Sequence, residues 1–253
     1  MKKLTFILIV AIISIVSQAF ADDTLHFVGL QNIIPFAYEE EGVKKGIDYE
    51  VFIEISKRMG FTAKIEFLPW KRIWEYLKKG SIDGTFQIYF NKKREEFIIY
   101  SKIPMRYSTI NVFVNKGHEF DFRNISDLFG KTVGKQSGFF ISPEFEQAVK
   151  RKKIILDEAR DVDRNIKKLI LKRIDCLVSN PNIVRFYMKK LGLQHEIVEL
   201  PVPLVPEKKV HLALSKNGKN IKDKLPFMEE INKTIKEIHG DGTLQKISDK
   251  YLK

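Results

Sequence analysis

The stretch AKIEFLPWKRIWEYLKKGSIDGTFQIY, residues 63–89, decides the fold. Ala63, Ile65 and Phe67 alternate with polar or charged neighbours, the period of a strand with one buried face. Pro69 carries the fixed φ of a first helical residue. Ile73, Trp74 and Leu77 then recur on one helical face until Gly80, the residue type that ends helices in the left-handed region. Ile82 to Tyr89 is a second extended apolar run. A strand followed by one helix and another strand predicts a crossover in a parallel sheet.

The same logic extends outward. Upstream, Leu25 to Leu30 reads as a strand, and Asp48 as the cap of a helix with Val51, Ile55 and Met59 inward and Gly60 at its end. Downstream the plan returns. Thr132 to Lys135 and Ile154 to Leu156 read as strands around a helix opening at Ser142-Pro143-Glu144. Asp163 to Lys172 reads as a helix with Ile166, Leu169 and Ile170 inward, before a strand from Asp175 to Val178. Leu77-Lys78-Lys79-Gly80-Ser81-Ile82-Asp83 and Leu171-Lys172-Arg173-Ile174-Asp175 even share wording, each closing a basic helix before a third strand. Two α/β lobes of similar plan follow.

The 253 residues carry 44 basic and 32 acidic side chains, a net charge of +12, with 44% hydrophobic residues. That is a globular composition with a core to build. With 14 Gly, 9 Pro and 1 Cys, the chain is neither collagen-like nor stapled by disulfides. The lysines at 150, 152, 153, 167, 168 and 172 sit among Ile and Leu on predicted helices, as solvated faces do, so no nucleic-acid partner is expected. Cys176, within Ile174-Asp175-Cys176-Leu177-Val178, reads as a small buried hydrophobe.

Residues 1–21 read as a cleaved secretory signal peptide. Lys2 and Lys3 precede an apolar run from Leu4 to Val16, and Ala19-Phe20-Ala21 offers the small-x-small site. The run is shorter than a membrane span of about 20 residues. No cysteine adjoins the site, so no lipid anchor is expected. Loss of Lys2 and Lys3 leaves a mature chain of charge +10 from the full chain's +12.

Parallel sheets bind ligands beyond the carboxyl ends of their strands. The candidate segments are Asn32 to Phe36, Leu68 to Trp70, Gln87 to Arg94, Gln136 to Phe140 and Ser179 to Asn182. From position alone, Arg94 is either an anion ligand or a surface arginine pairing with Glu95 or Glu96. Trp70 is either a cleft aromatic or core, and Trp74, one turn on, fits the core better.

Across its mature length the chain resembles the bacterial extracellular solute-binding proteins of family 3, periplasmic receptors that deliver polar amino acids to ABC importers. The likeness rests on Ile34-Pro35-Phe36-Ala37-Tyr38, Gly46-Ile47-Asp48, Leu68-Pro69-Trp70-Lys71-Arg72 and Gly80-Ser81-Ile82-Asp83-Gly84. It continues in Asn91-Lys92-Lys93-Arg94, Tyr100-Ser101-Lys102-Ile103-Pro104, Leu128-Phe129-Gly130-Lys131-Thr132-Val133-Gly134 and Gly240-Asp241-Gly242-Thr243-Leu244. The resemblance implies a two-lobe, type II periplasmic-binding-protein fold of mostly parallel sheets flanked by helices, with the ligand in the interlobe cleft. The lobes are expected at residues 22–106 plus 206–253 and at 107–205. It also implies a monomer in the periplasm, closing on a small carboxylate solute and docking transiently on an inner-membrane permease.

By the same resemblance Arg94 clamps the ligand carboxylate, a task suited to the planar fork of a guanidinium. Trp70 contacts the ligand's apolar part. Phe36, Gln87, Tyr89, Asn91, Ser137, Phe139 and Asn180 complete the expected ligand set. The chain departs from the family at three places. Tyr89 and Asn91 stand where the family has a small hydroxyl residue and threonine, and Gly138-Phe139-Phe140 replaces a hydroxyl-bearing segment. Asn180 stands where an aspartate meets the ligand ammonium, so either another carboxylate serves or the ligand is not a standard zwitterionic amino acid. The five histidines, His26, His118, His195, His211 and His239, show no metal-ligand spacing, and no nucleophile motif is present. No metal, cofactor or catalytic residue is expected. The alternatives are a ligand sensor docking on a chemoreceptor or sensor kinase, and a dehydratase-type enzyme on the same fold.

Overall fold

The computed structural model describes residues 24–253; the expected leader, residues 1–21, lies outside them. The chain divides into two compact units, residues up to Arg106 with Val210–Ile247, and Tyr107–Lys209 with Ser248–Lys253. In chain order the first unit opens with β1 (Leu25–Leu30), the hairpin β2 (Tyr38–Glu40) and β3 (Val43–Lys45), then β4 (Ala63–Leu68), β5 (Gly84–Tyr89) and β6 (Ile98–Tyr100). β7 (Arg106–Asn115) carries the chain into the second unit, which continues with β8 (Thr132–Gln136), β9 (Ile155–Ala159), β10 (Cys176–Ser179) and β11 (Ile197–Glu199). β12 (Val205–Ser215) carries it back.

In the first unit β1 lies between β4 and β5, parallel to both, and the returning half of β12 pairs antiparallel with β5 and β6. The helix Ile47–Met59 buries Val51, Phe52 and Ile55. Phe52 stacks on Phe86 of β5, with ring centroids 4.8 Å apart, and packs on Phe27 of β1 at 4.6 Å. The helix Trp70–Lys79 buries Ile73 and Leu77 and ends at Gly80 with φ +70°, where a side chain would strike the Asn217 carbonyl.

Three local expectations shift. Asp48 does not cap the first helix: Gly46 is at the cap position, and Asp48 lies in the first turn, buried. Pro69 precedes the second helix rather than opening it, with an extended ψ of 146°. The third strand begins at Gly84, not Ile82, because Asp83 turns its carboxylate onto the His26 amide at 2.8 Å and the Asn220 side chain at 2.9 Å.

In the second unit β8 lies between β9 and β10, parallel to both, and β7 runs antiparallel to β10 and β11. Ser142 caps the helix Pro143–Lys150 through its hydroxyl, which accepts from the Phe145 amide at 3.2 Å. The helix Val162–Ile170 buries Val162, Asn165, Ile166 and Leu169, while Ile170 is half-buried. Cys176 is fully buried, and burial pushes its thiol up to about 12. Among the described residues no helix is long and apolar enough to cross a membrane.

Candidate functional site

In the first unit the loop leaving β5 is built around Arg94. Asn91 caps the short 3-10 turn Lys92–Glu96, its Oδ1 accepting from the Lys93 amide at 3.0 Å. The Tyr100 hydroxyl accepts from the Asn91 amide at 3.2 Å and donates to the Tyr89 carbonyl at 3.4 Å. Burial pushes that phenol up, so it stays a neutral hydroxyl able to do both. Arg94 Nη1 also donates to the Tyr89 carbonyl, at a long 3.4 Å.

The guanidinium carbon of Arg94 lies 4.0 Å from the ring centroid of Trp74 and 5.2 Å from that of Trp70. Glu95 pairs instead with Lys92 at 2.8 Å, and among the described residues no carboxylate forms an ion pair with Arg94. A guanidinium held on aromatic faces without a counter-ion keeps its in-plane donors for an incoming anion. The helix Trp70–Lys79 brings both indoles here because they are four residues apart, one helical turn. Sequence spacing placed Trp74 in the core. It is half-buried, packs against that core beside Ile73 and Leu77, and also belongs to this cluster, for which the i, i+4 relation to Trp70 was the signal available.

Gln87 and Phe36 are buried. Gln87 is 9% exposed: its Oε1 accepts from the Leu30 amide at 2.9 Å, and its Nε2 donates to Asp48 Oδ2 at 3.0 Å. The other oxygen of Asp48 accepts from Arg106 Nε at 2.7 Å, and the Arg106 guanidinium lies 3.6 Å over the Phe36 ring. Phe36, Gln87, Asp48 and Arg106 thus form one buried assembly that fixes the ends of β1 and β5. Sequence reasoning missed the role of Arg106 because its partner is 58 residues away.

The second unit places its expected residues in two groups. In the loop after β8, Ser137, Phe139 and Phe140 are exposed. Gly138 turns the chain with φ +74°, the Ser137 amide bonds Ala159 O at 2.8 Å, and the buried Lys135 ammonium donates to Phe139 O at 2.8 Å. After β10, Asn180 is buried and caps the helix Pro181–Leu191: its Oδ1 accepts from the Asn182 amide at 3.0 Å. Its Nδ2 donates to Ser108 Oγ and Thr109 O, both at 3.1 Å. Asn180 borders a polar cavity of about 220 Å³ also lined by Thr109, Arg185, Glu199 and Glu207. Glu199 is tied to Arg185 at 2.7 Å and to Asn111 at 2.8 Å. Among the described residues no group of three or more His, Cys, Asp or Glu side chains is disposed to hold a metal ion.

The family model for bacterial extracellular solute-binding proteins, family 3, matches residues 25–253. The chain belongs to that family. It is similar to the probable amino-acid-binding protein YxeM of Bacillus subtilis (strain 168), 26% identical over 100% of this chain and 96% of the relative. It is also similar to the L-cystine-binding protein TcyK of the same organism, 25% identical over 85% of this chain and 77% of the relative. Among solved structures it resembles the second substrate-binding domain of Lactococcus lactis GlnP, with a TM-score of 0.72, 19% identity, and 91% and 96% of the two chains covered. This solute-binding protein therefore has the two-lobe, type II α/β fold expected from its sequence.

Proposed function

We propose that this solute-binding protein is an exported receptor that holds a small carboxylate-bearing, amino-acid-like solute and hands it unchanged to an ABC importer. The observation that carries this reading is the Arg94 guanidinium, seated on two indoles and left without a carboxylate partner among the described residues. An arginine in that state retains N–H donors that suit a carboxylate. The relatives named for amino-acid and L-cystine binding support the solute class, and a relative named a putative amino-acid ABC transporter-binding protein supports the importer. Trp70, Tyr89 and Asn91, with the more buried Phe36 and Gln87, are the proposed neighbours of the solute in the first unit. Ser137, Phe139 and Asn180 are their counterparts in the second. The lobes at 22–106 plus 206–253 and at 107–205 are proposed as the functional halves.

The test is thermal unfolding of the mature chain against L-cystine, L-arginine, other amino acids, keto acids and aromatic carboxylates. A bound solute at 100 times its dissociation constant adds about 2.7 kcal/mol, a midpoint rise of roughly 5–10 °C for a chain of this size. The solute that gives this rise is recovered chemically intact, and Arg94→Ala abolishes the rise. A rise that survives Arg94→Ala removes the carboxylate assignment, and conversion of the solute on incubation removes the receptor reading.

A further inference from the structure

Arg94 is held by aromatic rings, by the Tyr100 hydroxyl and by one backbone carbonyl. Its hydrogen bond to Tyr89 O is long, at 3.4 Å, and no ion pair fixes it among the described residues. The ring that lies closest is Trp74, with the guanidinium carbon 4.0 Å from its centroid against 5.2 Å for Trp70. Trp74 is itself braced on two sides. Trp70 meets it edge-to-face at 4.8 Å and 81°, and Phe97 does so at 5.5 Å and 87°.

We propose that Trp74 is a positioning residue of the solute site, holding the Arg94 guanidinium by its face so that the coplanar N–H donors are presented ready for a carboxylate. The proposal rests on Arg94 being the carboxylate ligand. Its physical basis is that the two interactions of a guanidinium are perpendicular. Stacking uses the face of the cation, and bidentate recognition uses its edge, so an indole holds the group without competing for its hydrogen bonds. A long side chain immobilised beforehand loses less rotamer freedom when the anion arrives, and that saving appears as affinity. Trp70 is one of the braces and Phe97 the other, which gives the three rings distinct tasks: Trp74 carries the cation, while its neighbours keep Trp74 from turning away.

The first readout needs no solute. In the free protein the Arg94 Nε–H proton resonance lies upfield, shielded by the indole ring current. Trp74→Leu moves it downfield, and Trp74→Phe retains part of the shielding. The second readout is affinity for L-cystine, L-arginine and, as a minimal carboxylate, acetate, measured by calorimetry or chemical-shift titration. Trp74→Leu weakens binding of whichever probe the wild type takes by roughly 3- to 10-fold, and Trp74→Phe restores most of it. In an Arg94→Ala background Trp74→Leu has no further effect, the non-additivity of two residues that act as one. An Arg94 resonance unmoved by Trp74→Leu overturns the proposal, as does a Trp74→Leu penalty equally large with Arg94 absent. Arg94→Ala without effect on the affinity for a bound probe overturns instead the carboxylate assignment on which the proposal rests. The ring-current measurement still decides in that case whether Trp74 holds Arg94.

Discussion

Beyond β5 in the first unit the chain sets down a guanidinium that no described carboxylate neutralises, whereas beyond β10 in the second it sets down an amide already spent on the fold. Both positions lie where parallel strands deliver side chains toward ligands, so the strand topology alone does not separate them. The separation is in the hydrogen bonds. Arg94 keeps unused in-plane donors, while both N–H groups of Asn180 already have acceptors and its oxygen caps a helix. A ligand-binding group needs unspent capacity, and of these two side chains Arg94 has more of it. Arg106, in the same unit, is by contrast engaged by Asp48 and Phe36.

That difference is sharpened most by removing the buried pair. Asp48 is 1% exposed and the Arg106 side chain 12% exposed, so Asp48→Ala strands a guanidinium in the interior. Breaking a buried pair from one side costs about 3–5 kcal/mol, and Gln87 Nε2 loses its acceptor as well. Urea unfolding of Asp48→Ala gives that loss. A loss below about 1 kcal/mol would mean that this buried assembly is not what fixes the ends of β1 and β5.

Asn180→Asp tests the second unit. Aspartate is the residue that the family resemblance expects there, yet a carboxylate cannot donate to the Thr109 carbonyl and would face it at hydrogen-bond distance. The expected loss is about 1–3 kcal/mol for stranding buried partners, with no gain in affinity for zwitterionic amino acids. Cys176, on the strand that leads to Asn180, reports the damage locally. Its thiol, held near 12 by burial, reacts with a disulfide reagent at pH 8 only when the second unit opens, and Asn180→Asp speeds that reaction by roughly 5- to 100-fold. An Asn180→Asp variant that keeps wild-type labelling and gains amino-acid affinity would make Asn180 an open ligand group like Arg94, and the contrast between the units would fail.

Arg94→Ala is the reciprocal case. It removes the proposed carboxylate ligand, a partly exposed side chain without an ion pair among the described residues, so stability changes by no more than about 1 kcal/mol. Solute binding falls at least tenfold, about 1.4 kcal/mol, and Cys176 labelling stays at the wild-type rate. A large loss of stability with unchanged binding would reverse the roles assigned to the two residues.

The sequence made some of this legible and hid the rest for identifiable reasons. Strand alternation at Ala63, Ile65 and Phe67 and the terminal glycines Gly60 and Gly80 are local rules, and the elements stand where those rules put them. Asp48 satisfied a local rule and was claimed by a distant one, since an arginine 58 residues away outweighs a cap. Trp74 lay on the buried face by spacing, but spacing says which face a ring is on and not that a cation will occupy it. Asn180-Pro181 is the same helix-opening pair of cap and first-turn proline as Ser142-Pro143. Read that way it announces a cap from sequence alone. Read by its family position it announces only a missing charge.

The smallest expected effect concerns acid, and it falls in the first unit alone. Asp241 is held well below its ordinary 3.8, at about 2, by the hydroxyl and amide of Thr243 and by the Arg58 guanidinium. Arg58 Nη1 reaches it at 2.7 Å, and the Thr243 amide at 2.9 Å. A carboxyl whose folded value lies below its unfolded one adds stability that is complete above about 3.8 and is lost as the pH falls through about 2. Asp241→Asn therefore lowers the unfolding midpoint slightly at pH 7, and the gap to wild type closes between pH 4 and pH 2. Both residues tied here, Arg58 and Thr243, belong to the first unit, so labelling of Cys176 in the second unit at pH 8 is the same in Asp241→Asn as in wild type. If that labelling accelerates, the two units do not open independently, and the contrast between Arg94 and Asn180 has to be read as a property of the whole chain.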